Sequence, residues 1–410
     1  MNWRLTFLFT ALTFGEAPAQ GTAADYDRAK AMQGDLLRHV MRARIQERWH
    51  EGKLYYKVRT GEDTEEYVRV DPAAGKREVI AKEAMPPAPP DERPEGGRRE
   101  RRGQRGGPPQ STSPDGKRQA VIRDNNVWLR STEDGEERQM SSDGSVSDAF
   151  RRPLVWSPDG KFLACLREKP AQEHPVNMVE SSPADQVQPR LKTINYLKPG
   201  DRIAQAKPVV FEVEGRRPRV FTATDEQIPN PWSIGDLRWS ADSQRLTFHY
   251  NQRGHQVFRL VEIHVADEGK VRTVVDETSA TFVDYTNKIW AHHIDATREV
   301  LWMSERDGWN HLYLIDGAAG AVKNQITKGP WVIRRVEHVD ETARQVWFMA
   351  GGVAAGQDFC YRHLCRAGFD GSGFTVLTQA DGTHEVEFSP DRQWFTDRWS
   401  RVDHPPVHEL

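Results

Sequence analysis

Stretches in which apolar and polar residues alternate run through most of this chain, and each follows a turn of recurring composition. Val155-Trp156-Ser157-Pro158-Asp159-Gly160 precedes Phe162, Ala164 and Leu166. Ser113 to Gly116 leads into Ala120 and Ile122, and Trp239-Ser240-Ala241-Asp242 into Leu246, Phe248 and Tyr250. Phe388-Ser389-Pro390-Asp391 leads into Trp394; Ile294-Asp295 before Val300 and Trp302, and Val339-Asp340 before Val346 and Phe348, are weaker copies. A period of two is that of a strand with one buried face. In the turn, Pro presets φ, Asp bonds its own backbone and Gly takes positive φ freely. Each copy therefore predicts a tight turn between two strands.

The turn aspartates stand at 115, 159, 242, 295, 340 and 391, so their spacings are 44 to 53 residues except for one gap of 83. That gap is two units, or one unit with an insertion. Periods of about 40 to 50 residues with several short strands each mark β-propeller blades. Asp-Gly pairs at 134–135, 143–144, 307–308, 316–317 and 370–371 predict further hairpins. Residues 22 to about 40 predict a helix, with Thr22 and Asp25 as a capping-box variant and Tyr26, Ala29, Met32, Leu36 and Val40 on one face. Leu54–Val58 and Tyr67–Val70 predict a hairpin of a first blade. The expected fold is an all-β propeller with a short N-terminal helix.

Composition adds context. The 410 residues suffice for a large core, and a net charge of −3 gives no global pull toward nucleic acid or an anionic membrane. Thirteen Trp suit packing between neighbouring sheets. Arg4, the apolar run Leu5 to Phe14 and Ala17-Pro18-Ala19 predict a signal peptide, residues 1–19, cut before Gln20. The run is too short for an ordinary membrane span, so export to a periplasm or beyond is expected. Residues 86–112, rich in Pro, Arg and Gly with few apolar side chains, predict a disordered insertion of the propeller spanning 20–410. It lacks the interleaved aromatics of a nucleic-acid binder, so no nucleic-acid partner is expected.

Cys165 falls on an apolar alternation and is expected to be buried and inert, whereas Cys360 and Cys365 could close a local loop. No cofactor or metal is expected. The two Cys have no partners at zinc spacing, and Pro405 and Pro406 forbid the helix that would bring His404 and His408 to one face. His292 and His293, consecutive on a strand, point to opposite faces and predict structural or solvated roles.

Ser304-Glu305-Arg306-Asp307-Gly308-Trp309-Asn310-His311-Leu312-Tyr313-Leu314 resembles the dipeptidyl peptidase IV branch of the prolyl oligopeptidase family of serine peptidases. Thr327-Lys328-Gly329-Pro330-Trp331-Val332 and the run from His384 to Asp403 extend the resemblance. It implies an eight-bladed N-terminal propeller that caps a C-terminal α/β-hydrolase domain and screens peptides. Within the stretch, Trp309, Asn310 and His311 are expected to serve the blade, with Trp309 packed between blades.

Two departures from the family pattern stand out. Serine chemistry in that fold needs a Gly-x-Ser-x-Gly elbow, and none occurs here; Gly371-Ser372-Gly373 lacks the pattern. No catalytic residue is therefore expected in this chain, and the hydrolase domain is expected to lie outside it, in a truncated or split gene. The family also binds the peptide amino terminus with a Glu-Glu pair just before the Trp-Ser-Pro phrase. The stretch Asp143-Gly144-Ser145-Val146-Ser147-Asp148-Ala149-Phe150 has no such pair, and Asp148 is the one nearby candidate for substrate binding. The expected function is the non-catalytic, substrate-gating propeller of an exported dipeptidyl peptidase IV-like peptidase. Its expected partners are a peptide substrate and a hydrolase domain encoded downstream. The alternative is a free-standing exported propeller that binds a peptide or protein.

Overall fold

The computed structural model describes residues 22–39, 41, 42, 45–61, 64–87, 112–215 and 218–410. The expected signal segment and residues 88–111 of the expected insertion lie outside them. The helix predicted from residue 22 spans Ala23–His39. Its cap forms as expected: Asp25 N donates to Thr22 Oγ1 at 3.3 Å, and Thr22 N to Asp25 Oδ2 at 2.9 Å. Tyr26 and Met32 on its apolar face are exposed. No helix among the described residues is long and apolar enough to cross a membrane.

The chain divides into two compact units, residues 1–97 with 380–410, and residues 98–379. Among the described residues, the first contains two antiparallel sheets. Sheet 1 has strands Ile45–His50, Lys53–Arg59, Glu65–Asp71 and Lys76–Ile80; sheet 7 has Thr383–Phe388, Phe395–Arg401 and His404–Glu409. The predicted first hairpin is present in register, Leu54 opposite Val70 and Tyr56 opposite Val68. The two sheets meet where the half-buried Glu47 bonds the Thr396 side chain. Burial, with the Glu387 carboxylate adding to it, raises the Glu47 carboxyl to about 7.

The second unit contains sheets 2 to 6. Sheet 2 has Arg118–Arg123, Asn126–Ser131 and Glu137–Gln139. Sheet 3 has Ala149–Trp156, Phe162–Lys169, Gln205–Glu212 and Val220–Thr222. Sheet 4 has Pro231–Trp239, Arg245–Gln252, Val257–His264 and Lys270–Thr278. Sheet 5 has Ala291–Ile294, Glu299–Ser304, His311–Asp316 and Ala321–Gln325. Sheet 6 has Val332–Asp340, Gln345–Gly351, Arg362–Gly368 and Thr375–Val376. An eighth sheet is a two-stranded ribbon, Pro175–Glu180 with Arg190–Asn195, inserted between the second and third strands of sheet 3. The gap of 83 residues is thus one unit with an insertion. Sheets 1 to 7 are propeller blades, with the ribbon an insertion within sheet 3, and the all-β class expected from the repeats is the fold.

The repeated turns form by one chemistry. In the copy at 157–160, Ser157 Oγ donates to Asp159 Oδ1 at 2.6 Å and accepts from Phe162 N at 3.0 Å, while Asp159 Oδ1 also accepts from Lys161 N. Ser113 with Asp115, Ser240 with Asp242 and Ser389 with Asp391 repeat the pattern. Asp143-Gly144 departs from expectation. It lies in the connection from sheet 2 to sheet 3 rather than in a hairpin, because Gly144 N bonds Asn126 Oδ1 of the neighbouring sheet.

Apolar faces pack between successive sheets. Phe162, Trp239, Phe248 and Tyr250 fill the space between sheets 3 and 4, and Leu301, Trp331, Phe348 and Phe369 that between sheets 5 and 6. Fully burying a side chain of this size is worth roughly 1.5–3 kcal/mol. Cys165 is buried in the expected way, and burial pushes its thiol well up. Cys360 and Cys365 do not pair: both are free, the first exposed and the second buried in sheet 6.

Candidate functional site

In sheets 3 to 6 the leading end is where the first strand begins and the turn end is where that strand meets the repeated turn; in sheet 2 the turn precedes the first strand, so its leading end is where that strand finishes. In the second unit these ends align from sheet to sheet. At the turn end, Asp159 N donates to Ser243 Oγ at 3.1 Å, and Arg344 reaches Glu299 at 2.9 Å. At the leading end, Phe150 N donates to Asn125 O at 3.0 Å, and Gln205 Nε2 to Asn230 Oδ1 at 3.2 Å.

The stretch from Ser304 to Leu314 builds the leading end of sheet 5. Glu277, buried on the last strand of sheet 4, accepts from Trp302 Nε1 at 2.8 Å, from Ser304 Oγ at 2.9 Å and from Arg306. Asn310 Nδ2 donates to Ile333 O at 2.8 Å and Ile333 N donates back to Asn310 O at 2.9 Å, locking sheet 6 to sheet 5. His311 lies between Thr327 Oγ1 and Gly329 O, 3.0 Å from each, with its ring edge-on to Trp331. Asn310 and His311 therefore serve the blades as expected. Trp309 does not pack between blades. It caps a turn in which its N bonds Asp307 Oδ1, and the residue is 43% exposed.

The exposed aromatics of this unit are unevenly placed. Of the six among its described residues, five stand at the leading end: Tyr196, Trp232, Phe282, Trp309 and Phe359. Only Phe374 stands on a connection at the turn end. Trp232 (46% exposed) and Phe282 (51% exposed) share a cluster with His255 and Tyr285, whose rings stack at 4.6 Å. Burial beneath these rings lowers the His255 pKa.

A cavity of about 240 Å³ opens at the same end, lined by Asp284, Asn287, Lys288, Asn310, Ile333 and Arg334 among others. Lys288 Nζ is 2.6 Å from Glu305 and 3.9 Å from Asp284. Arg334 is the extra residue of a bulge. Ile333 faces Ala350 and Arg335 faces Met349, so Arg334 has no partner across the strand. Trp232 occupies a corresponding bulge in sheet 4, between Pro231 and Ser233.

Asp148, the candidate from sequence, also lies at the leading end. Arg167 Nε donates to Asp148 Oδ1 at 2.9 Å while its Nη1 donates to Asp143 Oδ2 at 2.7 Å. Two carboxylates thus share one guanidinium. The structure brings Asp143 and Asp148 together on Arg167. The alternation did not mark Trp232 and Arg334, because a bulge only shifts its phase by one residue, and within a single short strand such a shift does not tell a bulge from an ordinary break in the pattern.

A second cavity, of about 30 Å³, lies toward the turn end between sheets 4 and 5 and has room for about one water. Paired charges fill its walls: Arg238 grips Asp295 with two bonds, and Arg245 and Arg272 flank Glu262. His293 borders it, and burial, with Arg238 and His249 adding to it, lowers its pKa to about 3. His292, by contrast, faces Glu341 at 2.8 Å, so the consecutive histidines do diverge. Gly371-Ser372-Gly373 is a hairpin turn held by Asp370, and His404 and His408 stand on a strand of sheet 7.

Comparison with known proteins accords with this architecture. A protein from Penicillium rubens named "Probable dipeptidyl-aminopeptidase B" is 25% identical over 305 residues, covering 65% of this chain and 33% of that protein. Dipeptidyl-aminopeptidase B of Aspergillus niger is 24% identical over 304 residues, covering 66% and 33%. The chain spans about a third of the length of the curated relatives it matches. The crystal structure of Porphyromonas gingivalis dipeptidyl peptidase 4 superposes on 89% of this chain and 48% of its own, with a TM-score of 0.53 at 18% identity, which shows a shared fold. Residues 109–406 match the family described as the dipeptidyl peptidase IV (DPP IV) N-terminal region, and the chain belongs to that family.

Proposed function

We propose that this chain is the non-catalytic, substrate-gating part of an exported dipeptidyl peptidase IV-like serine peptidase, and that peptides pass over its leading end. The observation that carries this reading is the concentration, among the described residues of the second unit, of five of six exposed aromatics at that end, where the cavity of about 240 Å³ also opens. Aromatic rings supply large contact area with little entropy to lose, and they are enriched where proteins meet ligands. The opposite end presents mainly the hydrogen-bonded polar turns. Asp148, Asp143 and Arg167 together carry a net charge of −1, so a peptide ammonium would find an unneutralised acceptor there. Arg4, the apolar run to Phe14 and Ala17-Pro18-Ala19 support export. Proteolysis would come from a hydrolase domain encoded downstream, because the 410 residues contain no Gly-x-Ser-x-Gly.

The test is binding of a fluorescent proline-containing peptide to the full chain, with a free or an acetylated amino terminus. The free form should bind about five- to tenfold more tightly, a difference that Asp148→Asn should remove. Equal binding of the two forms by the unaltered chain would exclude Asp148 as the ammonium acceptor, and no binding of either would exclude the peptide face. Cleavage of a proline dipeptide chromogenic substrate by the chain alone, blocked by a serine-directed inhibitor, would refute the non-catalytic reading.

A further inference from the structure

The geometry points to Arg334 as a carboxylate-binding residue at the leading end, selecting peptides that carry an acidic side chain or a free carboxyl terminus beyond the first residues. This inference rests on the peptide-gating reading above and adds a ligand chemistry to it. Four observations carry it. First, Arg334 is the extra residue of a bulge in the first strand of sheet 6, and bulges re-aim a side chain out of the alternating pattern. Its position is held on one side by the reciprocal bonds of Asn310 with Ile333, at 2.8 and 2.9 Å.

Second, room is kept for the side chain. A Cβ added to Gly351 on the facing strand would come 3.1 Å from Arg334 Nε and 3.2 Å from Phe359 O, so any larger residue there would crowd the guanidinium. Third, among the described residues no carboxylate lies within ion-pairing distance of Arg334, although its neighbours are satisfied. Arg335 pairs with Glu337, and Lys288 is shared by Glu305 and Asp284. Fourth, Arg334 is exposed and lines the cavity of about 240 Å³, so a ligand can reach it.

A guanidinium left without a partner in such a setting matches the planar, two-oxygen geometry of a carboxylate. The exposed ring of Phe359, on the connection beside it, gives the apolar part of the same residue a surface. The repeat of this bulge at Trp232 in sheet 4 shows one device presenting an aromatic side chain in one blade and a cation in another.

The experiment measures binding of three fluorescent peptides to the full chain: Ala-Pro-Glu-Ala amide, Ala-Pro-Gln-Ala amide and Ala-Pro-Gln-Ala with a free carboxylate. At least one carboxylate-bearing peptide should bind about tenfold more tightly than the Gln amide, and which one does so tells side chain from chain end. Arg334→Gln should abolish that preference while leaving binding of the Gln amide within twofold, and Arg334→Lys should restore part of it. Unchanged thermal melting of the variants separates loss of the subsite from loss of fold. Equal binding of all three peptides by the unaltered chain, or a preference that survives in Arg334→Gln, overturns the inference and leaves the gating reading intact. No binding of any peptide overturns both.

Discussion

Two buried glutamates show how single charged residues tie blades together. Glu277 receives three side-chain donors across the junction of sheets 4 and 5. Glu299 joins sheets 5 and 6 through Lys323 and Arg344. Burial by itself would raise the Glu299 carboxyl, but bonds from Arg344, Lys323 and Thr297 outweigh it and hold the pKa at about 2. Breaking one partner of such a group costs more than the group's net contribution, because donors are left buried and unpaired. Glu277→Ala is therefore expected to lower stability by about 3–5 kcal/mol, with Arg306 and the Trp302 indole stranded. Urea unfolding followed by tryptophan fluorescence measures this, and a loss below about 1 kcal/mol would show that the triple bond is dispensable.

At the level of elements, the repeated turn is the part most fully legible in the sequence. Gly116 and Gly160 take φ of 75° and 71° in their copies, and where the motif has lost Gly, Arg392 takes φ 57°. A left-handed residue with a Cβ costs roughly 1–2 kcal/mol, offset in part by the greater freedom of Gly in the unfolded chain. Arg392→Gly is expected to raise the stability of sheet 7 by about 0.5–1 kcal/mol, read as an upward shift in melting temperature; a downward shift would mean that the arginine's place over Phe388 matters more. The strands also followed from alternation, as did the helix from its cap. A hydroxyl latch was not legible. Ser141, Thr327 and Thr378 each bond a backbone N–H at the start of the sheet's next-to-last strand, those of Val127, Leu312 and Leu364. Nothing in a local pattern marks partners about fifteen residues apart. Exposed Trp309 misled for a related reason: beside an Asp-Gly turn, composition cannot tell a ring that packs from one that faces solvent.

At the scale of the whole molecule, two strongly shifted groups, one in each unit, should respond to acid in opposite senses. Glu47 in the first unit has a folded pKa of about 7 against an ordinary 4.5, so the folded state holds its proton more tightly. Its stabilising contribution is complete below about 4.5 and is lost as pH rises through 7. His293 in the second unit is depressed from 6.5 to about 3, so its contribution is present above 6.5 and is lost as pH falls toward 3. Hydrogen exchange should show the amides of Ile45–His50 opening more readily at pH 8 than at pH 5, after correction for intrinsic rates, and Glu47→Gln should flatten that difference. An unchanged pH response in the variant would assign it to other groups. These partners could not be read from sequence, since Glu47 and Thr396 come from opposite ends of the chain.

The bulges at Trp232 and Arg334 have one more consequence. A residue extra to the strand register is free of the alternation that binds its neighbours, so exchanging it disturbs neither the buried face nor the ladder. Such a position acts as an interchangeable fitting on a fixed frame. Relatives could acquire a new ligand preference there by a single substitution, with the blade beneath unaltered.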